Sequence, residues 1–284
     1  MSADQEVRHA ASHFRLARTE ISRRRGGELL GRGFGNSHEF QDYREYHPGD
    51  DLRHLDWAAF GRSDQPMIRL YREESQPRTQ ILLDASRSMA VPTREKSTFA
   101  RQLGWLIALL AAEGGGRPSV VALDDHRPLR EFDLQQLESP DILEWSGVKD
   151  LPRLIAERVL PAPRHASRYV ISDFLFPHDP RALVASLANQ ASDLILLQLL
   201  TETEIHPHWD SGARLVDAES DEYEDIILDQ SALATYQARL LDLQRGLSDE
   251  ARRVHATFVS LAVDAGLNQA CRGPLCQMGI LQPK

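Results

Sequence analysis

Apolar and polar positions along the chain alternate between two periods. Val7, Ala10, Ala11, Phe14, Leu16, Ala17 and Ile21 recur at roughly helical spacing and predict an amphipathic helix over residues 4–25, ended by Gly26 and Gly27. Residues 68–74 and 79–84 read as strands joined at Pro77, the first charged on one face as an edge strand would be. Residues 98–112 predict a helix apolar round much of its circumference, suited to lie against a sheet, and Gly114, Gly115 and Gly116 stop it. Strands follow at 119–123 and 129–132, then a helix at 148–160 with Pro152 in its first turn. A strand at 169–173, a helix at 180–189 and a continuous apolar strand at 193–200 come next. The remainder predicts a short hairpin (213–216 with 223–228) around an acidic loop, a helix at 232–253, a strand at 257–263 and a final helix interrupted near Gly273 and Pro274. Strand and helix alternate at the pace of a doubly wound, mostly parallel α/β sheet flanked by helices. The simplest partition is an N-terminal helical and loop extension, residues 1–76, before an α/β domain, residues 77–284.

The rest of the chain is organised around residues 80–89. Ile81, Leu82 and Leu83 break off into Asp84, Ser86 and Ser88 at alternate positions, as the carboxyl end of a buried parallel strand does when it delivers polar groups to the open edge of a sheet. One carboxylate and two hydroxyls are hard oxygen ligands, and in a tight turn this spacing brings them to one point, where Mg2+ would suit them. The bland reading is that Asp84 and Ser86 only cap a turn and the helix after it. The Asp-x-Ser-x-Ser spacing resembles the metal-ion-dependent adhesion site of von Willebrand factor A-type domains. That resemblance implies a second contributor at another strand end, which Asp173 supplies after the apolar run from Tyr169, acting through water while Asp84 is the one direct carboxylate. Such sites usually also take a threonine from a loop between the two Asp-bearing strands, yet no Thr occurs between Thr98 and Thr201; Ser146, ahead of Gly147, could substitute through its hydroxyl.

Residues 31–35 place three glycines in five positions, and a structured surface loop fits them better than a phosphate cradle, since no Gly-Lys-Ser/Thr follows. Residues 41–62 are dense in charge. Asp51, His54 and Asp56 could be drawn as metal ligands, but such clusters more often form ion pairs, here with Arg44 and Arg53, that fix a loop. The sequence from Gly33 to Met89, taking in Arg44-Glu45-Tyr46, Pro48-Gly49-Asp50-Asp51, Arg53, Asp56-Trp57, Arg72-Glu73-Glu74 and Asp84-Ala85-Ser86-Arg87-Ser88-Met89, resembles the signature of the bacterial "domain of unknown function 58" family, as does Ser172-Asp173-Phe174. That family is a branch of the von Willebrand factor A-type domains. The resemblance implies a von Willebrand factor A-like fold, protein binding rather than catalysis, and pairing with a MoxR-type AAA+ ATPase in chaperone-like remodelling or assembly. Arg44, Asp50, Asp51, Arg53 and Asp56 then become candidates for a second docking surface.

Charge and composition narrow the partners. A net charge of −9 and a pI near 5.7 argue against general nucleic-acid binding, and the Arg23-Arg24-Arg25 run reads as a solvated helix end. No apolar stretch approaches the roughly 20 residues a membrane span needs, and the amino terminus lacks the order of a signal peptide, so a cytoplasmic location is expected. Cys271 and Cys276 are too few for a disulfide scaffold and are expected to be reduced. An aspartyl nucleophile at Asp84 in a magnesium-dependent phosphohydrolase is the enzymatic alternative, weakened because the acid/base carboxylate expected two positions on is Ser86. The eleven histidines are scattered, and residues 206–209 read as an exposed loop. A structural domain with an empty metal site is the third reading.

Overall fold

The computed structural model describes residues 3–17, 40–48, 50–51, 55–63, 65–71, 77–125, 129–149, 151–157, 166–207, 214–216, 223–225 and 230–284. The chain forms two compact units, Met1–Ala17 with Pro77–Lys284, and Arg18–Gln76. In the larger unit, α1 (Ala3–His13) carries Asp4 and Glu6 in its first turn and His13 in its last, which suits the helix dipole. It ends well before the predicted residue 25: Phe14–Leu16 leaves the helix as β1 and pairs antiparallel with the last strand of the chain, so tertiary pairing overrides the helical spacing. Residues 18–25 lie outside the described residues.

In the smaller unit, β2 (Phe40–Glu45) and β3 (Met67–Tyr71) pair antiparallel, with the short helix α2 (Trp57–Ser63) between them in sequence. The edge strand expected at residues 68–74 is thus half of a separate two-stranded sheet, and β2 was hidden in a stretch that reads as charged loop because it shows no apolar alternation. The glycines at 31–35, Arg53, His54 and residues 72–74 lie outside the described residues.

The larger unit continues through β4 (Arg78–Asp84), α3 (Glu95–Glu113), β5 (Arg117–Leu123), β6 (Arg130–Phe132), α4 (Leu151–Glu157), β7 (Ala166–Ser172), α5 (Pro180–Ala188), β8 (Ala191–Leu200), α6 (Glu202–Ile205), the hairpin β9 (Arg214–Val216) and β10 (Tyr223–Asp225), α7 (Gln230–Arg253), β11 (Thr257–Ala262), α8 (Leu267–Ala270) and β12 (Leu281–Pro283). A six-stranded sheet runs in the order β11-β8-β7-β4-β5-β6, parallel except for β6. The α/β doubly wound reading therefore holds. From β4 the chain goes outward to β5 and β6, then returns past β4 to build β7, β8 and β11 on its other side. The carboxyl end of β4 is thereby the topological switch point, where open α/β sheets form their binding crevice.

Strand periodicity divides the core. Ile81 and Leu83 of β4 face one way, into a cluster with Phe99, Leu103, Leu106 and Ile107 of α3; Leu82 faces the other, with Leu183 and Leu187 of α5 and Leu247 of α7. The outer side of α3 is covered by α1 through Val7 and Ala10, which explains why that helix is apolar almost all round. Each fully buried Leu, Ile or Phe contributes about 1.5–3 kcal/mol. Gly104 lets α3 approach β4 closely, since a Cβ there would meet Leu83 Cδ2 at 3.0 Å. The final helical segment breaks at Gly273 (φ −94, ψ −106), next to Pro274 as the sequence predicts, and both cysteines are free thiols. Among the described residues no helix is long and apolar enough to cross a membrane.

Candidate functional site

At the end of β4 the chain keeps parallel company for one residue more, Ala85 N–H donating to Leu123 O at 3.0 Å, and then turns. The loop ahead of α4 closes against this turn: Arg87 N–H donates to Gly147 O (2.9 Å) and Gly147 N–H to Ala85 O (3.1 Å). Gly147 is required by the approach, because a Cβ would meet Ala85 O at 3.1 Å and Ser86 Cα at 3.3 Å. A short 3-10 turn over Arg87–Met89, anchored by fully buried Met89, then directs the chain toward α3.

This backbone holds Asp84 almost completely buried. Its Oδ1 accepts Ser86 N–H at 3.0 Å, and its Oδ2 accepts the Ser172 hydroxyl at 2.6 Å from the neighbouring strand β7. Ser172 Oγ in turn accepts Phe174 N–H at 3.0 Å. The hydroxyls of Ser86 and Ser88 lie 3.0 Å apart. Burial, and secondarily the negative charge of Asp173, raises the Asp84 pKa to about 6, against the pull of its hydrogen bonds from Ser172 and Ser86.

Asp173 follows β7 in a turn whose next residue, buried Phe174, sits at φ 56, the left-handed region that a bulky side chain rarely adopts. Asp173 Oδ1 accepts Leu175 N–H at 3.1 Å, and its Oδ2 lies 2.8 Å from Lys96 Nζ. Lys96 comes from the first turn of α3, its side chain only 4% exposed. The same ammonium lies 2.6 Å from Glu204 Oε1, while Glu204 Oε2 closes a capping box on Thr201 at the start of α6. Burial pulls the Lys96 pKa down, but the two carboxylates outweigh it and hold the ammonium charged.

A divalent ion finds part of its shell here. At Mg–O distances of roughly 2.1 Å, neighbouring ligands of an octahedron are about 3.0 Å apart. The Ser86 and Ser88 hydroxyls have that separation and Asp84 stands beside them in the turn. Asp173 stands differently: both carboxylates are bonded on each oxygen, but Asp84 to an amide and a hydroxyl, and Asp173 to an amide and the Lys96 ammonium. Ser146 is exposed on the loop that Gly147 ties to Ser86. Among the described residues no group of three or more His, Cys, Asp or Glu is placed to hold a metal, so a cation at this turn depends on the serines.

Lys96, Ser172 and Glu204 escaped the sequence reading. In the sequence Ser172 stands only as strand and as part of the family-like Ser172-Asp173-Phe174 run, with nothing to mark it as the partner of Asp84. Lys96 carries a signal in the sequence: it is one of three lysines in a chain whose Lys and Arg together number 33, and it falls at the start of a helix apolar round much of its circumference. Around the polar turn, three apolar side chains stand exposed: Val91 after the 3-10 turn, Val148 after Gly147 and Leu175 after Phe174.

In the smaller unit, Arg44 Nη2 and Nη1 bind Asp50 at 2.9 and 3.0 Å, and His47 N–H donates to the same carboxylate at 2.8 Å. Asp56 is 2% exposed and caps α2, accepting Ala58 N–H at 2.9 Å and Ala59 N–H at 3.0 Å, while the Tyr43 hydroxyl donates to its other oxygen. Arg44 thus pairs with Asp50, and Asp56 serves as a helix cap bonded to Tyr43, while Arg53 and His54 lie outside the described residues. Asp51 is half-buried nearby, and Trp57 is 66% exposed.

A family model described as "Protein of unknown function DUF58" matches residues 42–244. Uncharacterized proteins of Mycobacterium bovis and of two strains of Mycobacterium tuberculosis are each 26% identical over 253 residues, covering 84% of this chain and 78% of their own length. The crystal structure of the conserved hypothetical protein BatB from Bacteroides thetaiotaomicron aligns at a TM-score of 0.38 and 17% identity, covering 71% of this chain and 98% of that one.

Proposed function

Because the chain belongs to the DUF58 family, whose description carries no activity, we propose a function from the site itself: a von Willebrand factor A-like protein-binding face, completed by a divalent cation, with no chemistry of its own. The observation that carries this reading is the turn after β4, where Asp84 and the paired hydroxyls of Ser86 and Ser88 lie at the topological switch point, bordered by loops exposing Val91, Val148 and Leu175. Asp84, Ser86 and Ser88 would hold Mg2+, which supplies a coordination position for an acidic side chain of a partner. The exposed apolar residues would flank that contact, as the apolar core of a docking patch flanks its polar anchor.

The family resemblance supports a MoxR-type AAA+ ATPase as the partner, and hence an adaptor role in remodelling or assembly of a target. The segment with Arg44, Asp50, Asp51 and Arg53 is proposed as a second docking surface, supported by the exposed indole of Trp57, with buried Asp56 holding the start of α2 rather than meeting a partner. A purified MoxR-type ATPase should bind the wild-type chain by calorimetry with Mg2+, but not with chelator, and not the Asp84→Ala/Ser86→Ala variant. Equal binding in all arms removes the metal from the interface. Phosphoester turnover that Asp84→Asn abolishes would replace binding by hydrolysis.

A further inference from the structure

The geometry points to Lys96 as the resident cation of the Asp173 half of this site, leaving an incoming divalent ion to Asp84 and the two serine hydroxyls alone. The inference rests on the metal-dependent reading above and specifies its ligand set.

Asp173 has two carboxylate oxygens, and each has a partner: Leu175 N–H at 3.1 Å on Oδ1, Lys96 Nζ at 2.8 Å on Oδ2. Asp84 is also bonded on both oxygens, but by an amide and a hydroxyl that carry no net charge, so a divalent ion displaces no cation there, whereas at Asp173 it would meet the ammonium. The other carboxylate of the ammonium is fixed as firmly, since Glu204 Oε2 accepts both Thr201 N–H at 2.8 Å and the Thr201 hydroxyl at 2.9 Å. Lys96 is therefore held between two clamped anions from the ends of β7 and β8, with its own stem buried in α3. A compact ammonium suits this slot where the planar fork of arginine would not, and lysine stands here in a chain that otherwise uses arginine for nearly all its cations. Freeing Asp173 for a metal would strand the ammonium between one remaining carboxylate and a buried wall.

Lys96 is thus a positioning residue with an electrostatic effect on the ion beside it. A divalent ion neutralised by a single carboxylate keeps a net positive charge, and that residual charge is what attracts an acidic group. With Asp173 in the shell it would be neutral and tightly held. The ammonium keeps the site weak in metal affinity and strong in its pull on the partner.

Mn2+ binding, read from the electron paramagnetic resonance of free Mn2+, tests the assignment. Asp173→Asn should bind Mn2+ within about twofold of wild type, while Lys96→Met, which releases Asp173, should bind at least about tenfold tighter. Lys96→Met/Asp173→Asn should return to the wild-type value, and Asp84→Asn should lose binding. Asp173→Asn weakening Mn2+ tenfold, or a folded Lys96→Met that binds as wild type does, would overturn the inference. If Lys96→Met does not fold, Asp173→Asn decides alone. Should wild type bind no Mn2+ at all, the metal reading fails separately, and the pairing is judged in chelator by a thermal double-mutant cycle. There the double variant must lose less than the sum of the single losses; additive losses reject the resident cation.

Discussion

The hydroxyl of Ser172 donates to Asp84 Oδ2 at 2.6 Å, joining the ends of the two parallel strands that flank the switch point. Because Ser172 also accepts Phe174 N–H, the turn that carries Asp173 and the turn that carries Ser86 share one hydrogen-bond chain. The site is therefore set by the register of β4 against β7, and its serines and aspartates cannot shift independently.

Removing this donor leaves a buried carboxylate short of a partner. Ser172→Ala should cost about 1.5–3 kcal/mol at pH 7.5, the range for a hydrogen bond to a charged group, and less near pH 4, where the folded state carries Asp84 neutral. Urea unfolding at the two pH values checks this; an equal loss at both would show that Asp84 charge plays no part.

Asp84 itself weakens the fold as it ionises. Its folded pKa of about 6 lies above the ordinary 3.8, so its stabilising contribution is complete below about pH 4 and is lost as pH rises through 6. A shift of about two units corresponds to roughly 3 kcal/mol. The difference in stability between wild type and Asp84→Asn, both in chelator, should move by about that amount in favour of the variant from pH 4 to pH 7. A difference that stays constant over that range refutes it. With Mg2+ present the wild type should regain stability, with a larger rise in melting temperature at pH 7.5 than at pH 5, because the ion needs the ionised carboxylate.

Gly147 tests the close approach of the two turns. Gly147→Val should cost about 1–3 kcal/mol, since the new side chain meets backbone at Ala85 and Ser86 rather than a movable side chain. Loss of Mn2+ affinity should accompany it. A variant as stable as wild type in thermal unfolding would mean that the loop yields without strain.

The apolar rim should matter to a partner and not to the fold. Val148→Asp and Leu175→Asp replace exposed side chains, so each should leave stability within about 0.5 kcal/mol. Each should also weaken ATPase binding at least about tenfold in calorimetry. Unchanged binding in both would move the interface elsewhere, toward Arg44 and Trp57, where Arg44→Ala and Trp57→Ala provide the corresponding test.

The parallel sheet was legible because its strands are continuous apolar runs of the kind that only a doubly covered sheet produces, as at residues 81–83 and 194–197. Asp84, Ser86 and Ser88 were legible because strand and turn spacing fix which side chains reach one point. Lys96 was not: its role depends on Glu204, 108 positions away, and no local period encodes such a pairing. For the same reason β1 and β12 went unread, each three residues long and given its conformation only by the other. β2 was missed because its pairing with β3 rests on backbone hydrogen bonds across a stretch that reads as charged loop.

The pairing of β1 with β12 also fixes how the larger unit would respond to mechanical load. In this antiparallel ladder Phe14 faces Pro283, so tension on the C-terminal end meets the ladder directly, while tension on the N-terminal end reaches Phe14 only through α1, whose Val7 and Ala10 are buried against α3. The seam would part pair by pair once α1 had been drawn off, while β4, enclosed between β5 and β7, would be reached only after the seam had opened.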